Sequence, residues 1–165
     1  MIFIMNKFLK KLCLIILLLI IVYIIYLYTF YDYNFYSSII ETPIPMFTKI
    51  EEKDTHGGFH GDGEALVKVY FSDKQAEKFI RKIDKNIHWD KLPMKDILQT
   101  CLNNNITDEI SVPIIENGYW FFLDRHSKAT NKYNYYDMFD RASSNYSIAI
   151  FDIDSNVLYI YSLDT

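Results

Sequence analysis

Cysteine is nearly missing from this chain, with Cys13 and Cys101 the only two in 165 residues. Cys13 lies inside a long apolar run and Cys101 far beyond it, so no useful intramolecular bridge joins them and packing alone must stabilise the fold. Arginine is scarce too, limited to Arg81, Arg125 and Arg141, and after the apolar run 14 basic residues stand against 21 acidic ones. Nucleic acid is a poor partner for that surface, because phosphate binding needs a basic face that releases counterions. There is no P-loop, no G-x-S-x-G elbow, no H-E-x-x-H and no C-x-x-C, which argues against the enzyme classes those motifs serve. No internal repeat or low-complexity tract is present.

Charge is absent altogether from Leu12 to Tyr31. Twenty residues at about 1.5 Å each cross the roughly 30 Å hydrocarbon core of a bilayer, so this run is expected to span one. Lys7, Lys10 and Lys11 precede it and Asp32 follows. The positive-inside rule then puts residues 1–11 in the cytoplasm and the rest of the chain outside. Tyr23, Tyr26, Tyr28, Phe30, Tyr31, Tyr33, Phe35 and Tyr36 crowd the far end, where amphipathic rings settle among headgroups. The run is longer than a signal-peptide core and no A-x-A-like pair follows, so retention as an anchor is expected. Cys13 lacks the preceding small residues of a lipid-attachment site.

Thr42-Pro43-Ile44-Pro45 cannot continue a helix. Residues 32–45 read as a juxtamembrane linker and residues 46–165 as one extracytoplasmic α+β domain. Glu64 to Phe71 alternates as a half-buried strand does. Ser72 with Gln75 forms a capping-box pattern, and Ala76, Phe79, Ile80, Ile83 and Ile87 follow at helical spacing. The opposite face, with Glu77, Lys78, Arg81, Lys82 and Lys85, reads as solvated. Met94, Ile97, Leu98, Cys101 and Leu102 predict a second helix ending near Asn103 to Asn105, with Cys101 a buried packing thiol. Val112 to Ile115 and Tyr119 to Arg125 around Asn117-Gly118 predict one hairpin, and Tyr146 to Ile153 with Val157 to Leu163 another. The fold class expected is a mostly antiparallel sheet with two packed helices, carried behind a transmembrane helix.

The stretch Asp54-Thr55-His56-Gly57-Gly58-Phe59-His60-Gly61-Asp62-Gly63 holds four of the five glycines and two of the four histidines. Such glycine density lets a ligand approach the main chain closely. Asp54, His56, Gly57, Gly58, His60 and Asp62 are therefore candidate ligand-binding residues. The plainer reading is a tight turn, with Asp54 and Asp62 bonding local amides. A third is a divalent-metal site of His56, His60 and Asp62, completed by Asp124 and His126 if that strand end lies beside the loop. Gly57 and Gly58 weigh against the helix on which His-x3-His is diagnostic. Asp152, Asp154 and Asn156 imitate a calcium loop but lack its later glycine and glutamate, so Asp154-Ser155-Asn156 reads as a hairpin turn.

Asp54 to Gly63, Asn117 to His126 and the closing Leu163-Asp164-Thr165 resemble stretches of small uncharacterised membrane-anchored proteins of low-GC Gram-positive bacteria. That resemblance implies a bacterial cell envelope and carries no activity with it. Two functions stand as expectations: a membrane-tethered binding or interaction domain for a protein or small molecule, with no cofactor, or a metal-dependent hydrolase built on His56, His60, Asp62, Asp124 and His126.

Overall fold

A computed structural model describes residues 7–57, 61–104 and 110–165, with 8, 28, 29 and 104 described by backbone alone. The charge-free run lies within one α-helix, α1, Lys7–Ile39, of 33 residues, about 50 Å long. Its stretch Leu9–Leu27, of mean hydropathy 2.6, is apolar enough to cross a membrane or to serve as a signal anchor. Beyond Leu27 the helix continues into the folded head, and this departs from the expected linker at 32–45. Tyr36 and Ile44 are buried there and Ile40 is fully enclosed. An amphipathic stretch that meets a core is stabilised by packing, which local breaking signals a few residues later do not reveal.

The prolines do stop the helix, through a left-handed residue ahead of them. Glu41 has φ 51°, and the N–H of Thr42 donates to the carbonyl of Ser37 at 3.2 Å, the Schellman arrangement usually built on glycine. A glutamate tolerates that position here because its carboxylate accepts from Lys132 at 2.5 Å and from the Tyr133 hydroxyl at 2.7 Å. The Asn86 amide donates to the Glu41 carbonyl and the Trp89 indole to that of Ile40, both at 3.3 Å.

Six antiparallel strands follow: β1 (Lys49–Asp54), β2 (Gly63–Tyr70), β3 (Trp89–Lys91), β4 (Gly118–Asp124), β5 (Asn145–Asp152) and β6 (Val157–Asp164), ordered β1-β2-β6-β5-β4-β3. Two helices, α2 (Asp73–Ile83) and α3 (Asp96–Asn104), and a 3-10 turn at Asp137–Asp140 complete the domain. The α+β class expected from sequence is the observed one.

Helices cover both faces of the sheet. On one side Val67, Val69, Phe121, Phe151, Leu158 and Ile160 pack with Phe79 and Ile83 of α2 and with the end of α1. On the other, Leu66, Trp120, Phe122, Ile148 and Tyr161 pack with Leu98 and Leu102 of α3. Double cover explains why Leu66, on the face expected to be wet, is 2% exposed. The capping pair is in place, with the Gln75 side chain accepting from the Ser72 N–H at 2.9 Å. Ile87, expected on the apolar face of α2, is 88% exposed because the helix ends at Ile83. Cys101 is half-buried rather than enclosed and lines a cavity of about 330 Å³ with Tyr146 and Leu163. Burial pushes its thiol above the ordinary value.

The hairpin at Asn117-Gly118 is not formed, since residues 111–115 are not a strand and β4 pairs with β3 and β5 instead. Pro113 has no donor for such a ladder. Gly118 has another reason to be glycine: a Cβ there would strike the carbonyl oxygen of Phe151 on β5. The last hairpin is as expected. Asp152 accepts from the Asp154 N–H at 2.9 Å and from the Ser155 hydroxyl at 2.6 Å, and Asn156 takes φ 56°.

Candidate functional site

β1 and β2 pair with Asp54 opposite Ala65, so the glycine-rich stretch is the connection of a hairpin. The Asp54 carboxylate accepts from the His56 N–H at 2.7 Å, the local turn bond the plainer reading expects. Gly63 admits this path, because a Cβ on it would lie 2.5 Å from the Cα of His56. The imidazole then reaches out of the turn. Its Nδ1 lies 2.6 Å from Asp54 Oδ1 and its Nε2 lies 3.1 Å from Asp164 Oδ2 at the end of β6.

Strand register supplies the remaining groups. Gly63 stands opposite Asp164, Ala65 opposite Ser162, and Asn145 of β5 opposite Asp164 on its other side. Arg125, one residue past β4, crosses the end of β5 and donates from Nη2 to Asp164 Oδ2 at 2.9 Å. Its Nε donates to the Ser147 hydroxyl at 2.9 Å, and that hydroxyl is 2.8 Å from Ser162 Oγ. One carboxylate oxygen of Asp164 thus holds a histidine from the β1–β2 side of β6 and an arginine from the β5–β4 side.

These groups form one end of a cleft of about 240 Å³ between the last turns of α1 and the sheet, lined also by Phe35, Tyr36, Ile39, Glu52, Val67 and Ile160. Burial first, and a bond to Glu52 second, push the Tyr36 hydroxyl far above its ordinary range, so it stays a neutral donor. The Asp54 carboxyl is held below its ordinary value chiefly by the His56 backbone N–H. Three carboxylates, Glu52, Asp54 and Asp164, line this cleft together with Arg125 and His56. Apolar walls with a predominantly acidic end suit a small ligand carrying positive charge on an apolar body.

The residues singled out by sequence separate in space. Asp54 and His56 line the cleft, whereas Gly57 and Asp62 close the turn, the Gly57 N–H donating to the Asp62 carbonyl at 3.3 Å. Gly58 and His60 lie outside the described residues. The described contacts of Asp124 and His126 are with groups other than Asp54, His56 and Asp62. The Asp124 side chain is fully buried against Arg141 at 2.5 Å. The His126 ring faces Ser143 at 3.1 Å and accepts from the Lys128 N–H. Among the described residues no three His, Cys, Asp or Glu side chains are grouped to hold a metal ion. Glu52, Arg125, Ser162 and Asp164 were not found from sequence, although Arg125 is one of three arginines and Asp164 sits in the closing triplet.

No protein-family model, curated protein or solved structure matches this chain.

Proposed function

We propose that this protein is a membrane-tethered binding module. α1 is its anchor, the head lies on the extracytoplasmic side, and the cleft beside the end of α1 takes a small cationic ligand with an apolar body. The observation that carries this reading is the His56 ring held between two carboxylates. With Nδ1 against Asp54 and Nε2 against Asp164, the ring gathers two carboxylates at the end of the cleft that Glu52 also lines, which supports a cationic ligand there. Lys7, Lys10 and Lys11 before the apolar stretch and Asp32 after it support the orientation.

Thermal unfolding of the full chain in a nonionic detergent, with alkylammonium ions of increasing chain length, tests this. A ligand at 100 times its Kd adds about 2.7 kcal/mol to the folded state, which raises Tm by several degrees for a domain of this size. Glu52→Gln is expected to remove most of the rise. No rise with any alkylammonium ion contradicts the proposal.

A further inference from the structure

The turn between α1 and β1 pushes two apolar side chains outward, leaving Met46 55% and Phe47 80% exposed. Phe47 takes φ 64°, a left-handed conformation that a bulky residue adopts only when its surroundings impose it. The surroundings here are specific. The Tyr33 hydroxyl donates to the Thr48 carbonyl at 2.8 Å, the Thr48 hydroxyl to the Pro45 carbonyl at 3.0 Å, and the Gln75 amide to the Met46 carbonyl at 3.3 Å. Pro43 and Pro45 stiffen the approach. The fold therefore holds an aromatic ring out of its own core.

The position of that ring identifies its surroundings. Phe47 meets Phe30 of α1 edge-on, with centroids 6.1 Å apart. Phe30 lies three residues past Leu27, the end of the most apolar stretch, which is about 4.5 Å along the helix axis. Phe47 is thus level with Tyr26, Phe30 and Tyr31, where α1 leaves the apolar region, and its exposed face continues the exposed surface of the helix.

We propose that Met46 and Phe47 form a wedge that enters the outer leaflet beside α1, so that the protein contacts lipid at two points rather than one. This rests on the anchor reading above and goes beyond it. A single helix leaves the head free to rotate about its axis and to tilt, whereas a second lipid contact on one side fixes both. Because Phe35 and Tyr36 of the same helix line the cleft, the wedge also sets the direction in which the cleft opens relative to the membrane surface.

The test places a tryptophan at Phe47→Trp, with Met46→Trp as a second reporter and Leu18→Trp as the anchor control, in the full chain reconstituted in phosphatidylcholine vesicles. The native Trp89 and Trp120 are buried and give a common background. Acyl chains brominated near the headgroup are expected to quench the added emission of Phe47→Trp or Met46→Trp at least twofold, and chains brominated deep in the bilayer that of Leu18→Trp, while aqueous iodide leaves all three unchanged. If Leu18→Trp responds to brominated lipid but both turn reporters respond to iodide alone, the wedge is overturned and the anchor stands. If Leu18→Trp does not respond either, the anchor reading fails and the wedge with it. Protection of both turn reporters from both quenchers, with the chain crosslinking as a dimer, overturns the wedge in favour of a second copy covering the turn.

Discussion

The indole N–H of Trp89 on the edge strand donates to the carbonyl of Ile40 at 3.3 Å, fastening the end of the apolar helix to the β3 edge of the sheet. With Asn86 on Glu41 and Thr42, and Lys132 and Tyr133 on the Glu41 carboxylate, the junction is a built part of the domain. Its last turns form a wall of the cleft, so the apolar helix and the candidate site share one piece of structure.

A chain starting at Asp32 is therefore expected to fold, and one starting at Met46 to fail or to melt far lower. Removing Tyr36, Ile40 and Ile44 forfeits about 1.5–3 kcal/mol for each buried side chain, against a total stability of roughly 5–15 kcal/mol. Circular dichroism melts of the two chains decide the matter, and equal melting temperatures would show the junction to be dispensable.

Sequence periodicity reported some elements and concealed others. β2, α2 and the β5–β6 hairpin were legible because each shows an apolar spacing or a turn with a mechanism. β1, with Lys49, Glu51, Glu52, Lys53 and Asp54 all exposed, is a charged edge strand and shows no alternation to read. Three-residue β3 is too short for a pattern. Tyr36, Ile40 and Ile44 were concealed because their burial depends on the distant sheet. The candidate site was half legible for the same reason. Asp54 and His56 belong to one turn, whereas Asp164 and Arg125 reach it only through the register of β2, β6, β5 and β4.

Arg141→Ala is expected to be among the costliest single changes. It leaves the Asp124 carboxylate, with a side chain 0% exposed, buried without its cation, a situation that costs about 3–5 kcal/mol. Chemical denaturation should show the loss, and Asp124→Asn combined with Arg141→Ala should recover part of it.

Gly118→Ala is expected to destabilise by about 1–3 kcal/mol, the usual range for forcing atoms into filled space, because the new methyl meets a backbone carbonyl that cannot rotate away. A melting temperature within a degree of the native value would contradict the pairing of Gly118 with Asp152.

Acid should weaken the domain through two carboxylates held below their ordinary values. In Glu41, burial opposes ionisation, but the bonds from Lys132 and Tyr133 outweigh it and lower the pKa from 4.5. In Asp54 the His56 backbone N–H lowers it from 3.8. A depressed carboxyl contributes its stability fully above the unfolded value and loses it as pH falls through the folded one. The decline is therefore expected below about pH 4.5. Glu41→Gln and Asp54→Asn should each lower stability at neutral pH and flatten part of the acid decline, as followed by urea midpoints from pH 7 down to about 3.

The most direct measurement of the central claim, that a retained helix carries the binding domain on a membrane, is peptide-level mass spectrometry of the protein from fractionated cells. The account predicts a membrane-fraction species in which residues Leu9–Leu27 remain covalently joined to the domain. Recovery of the domain as a soluble species beginning between Thr29 and Ser38 would contradict it.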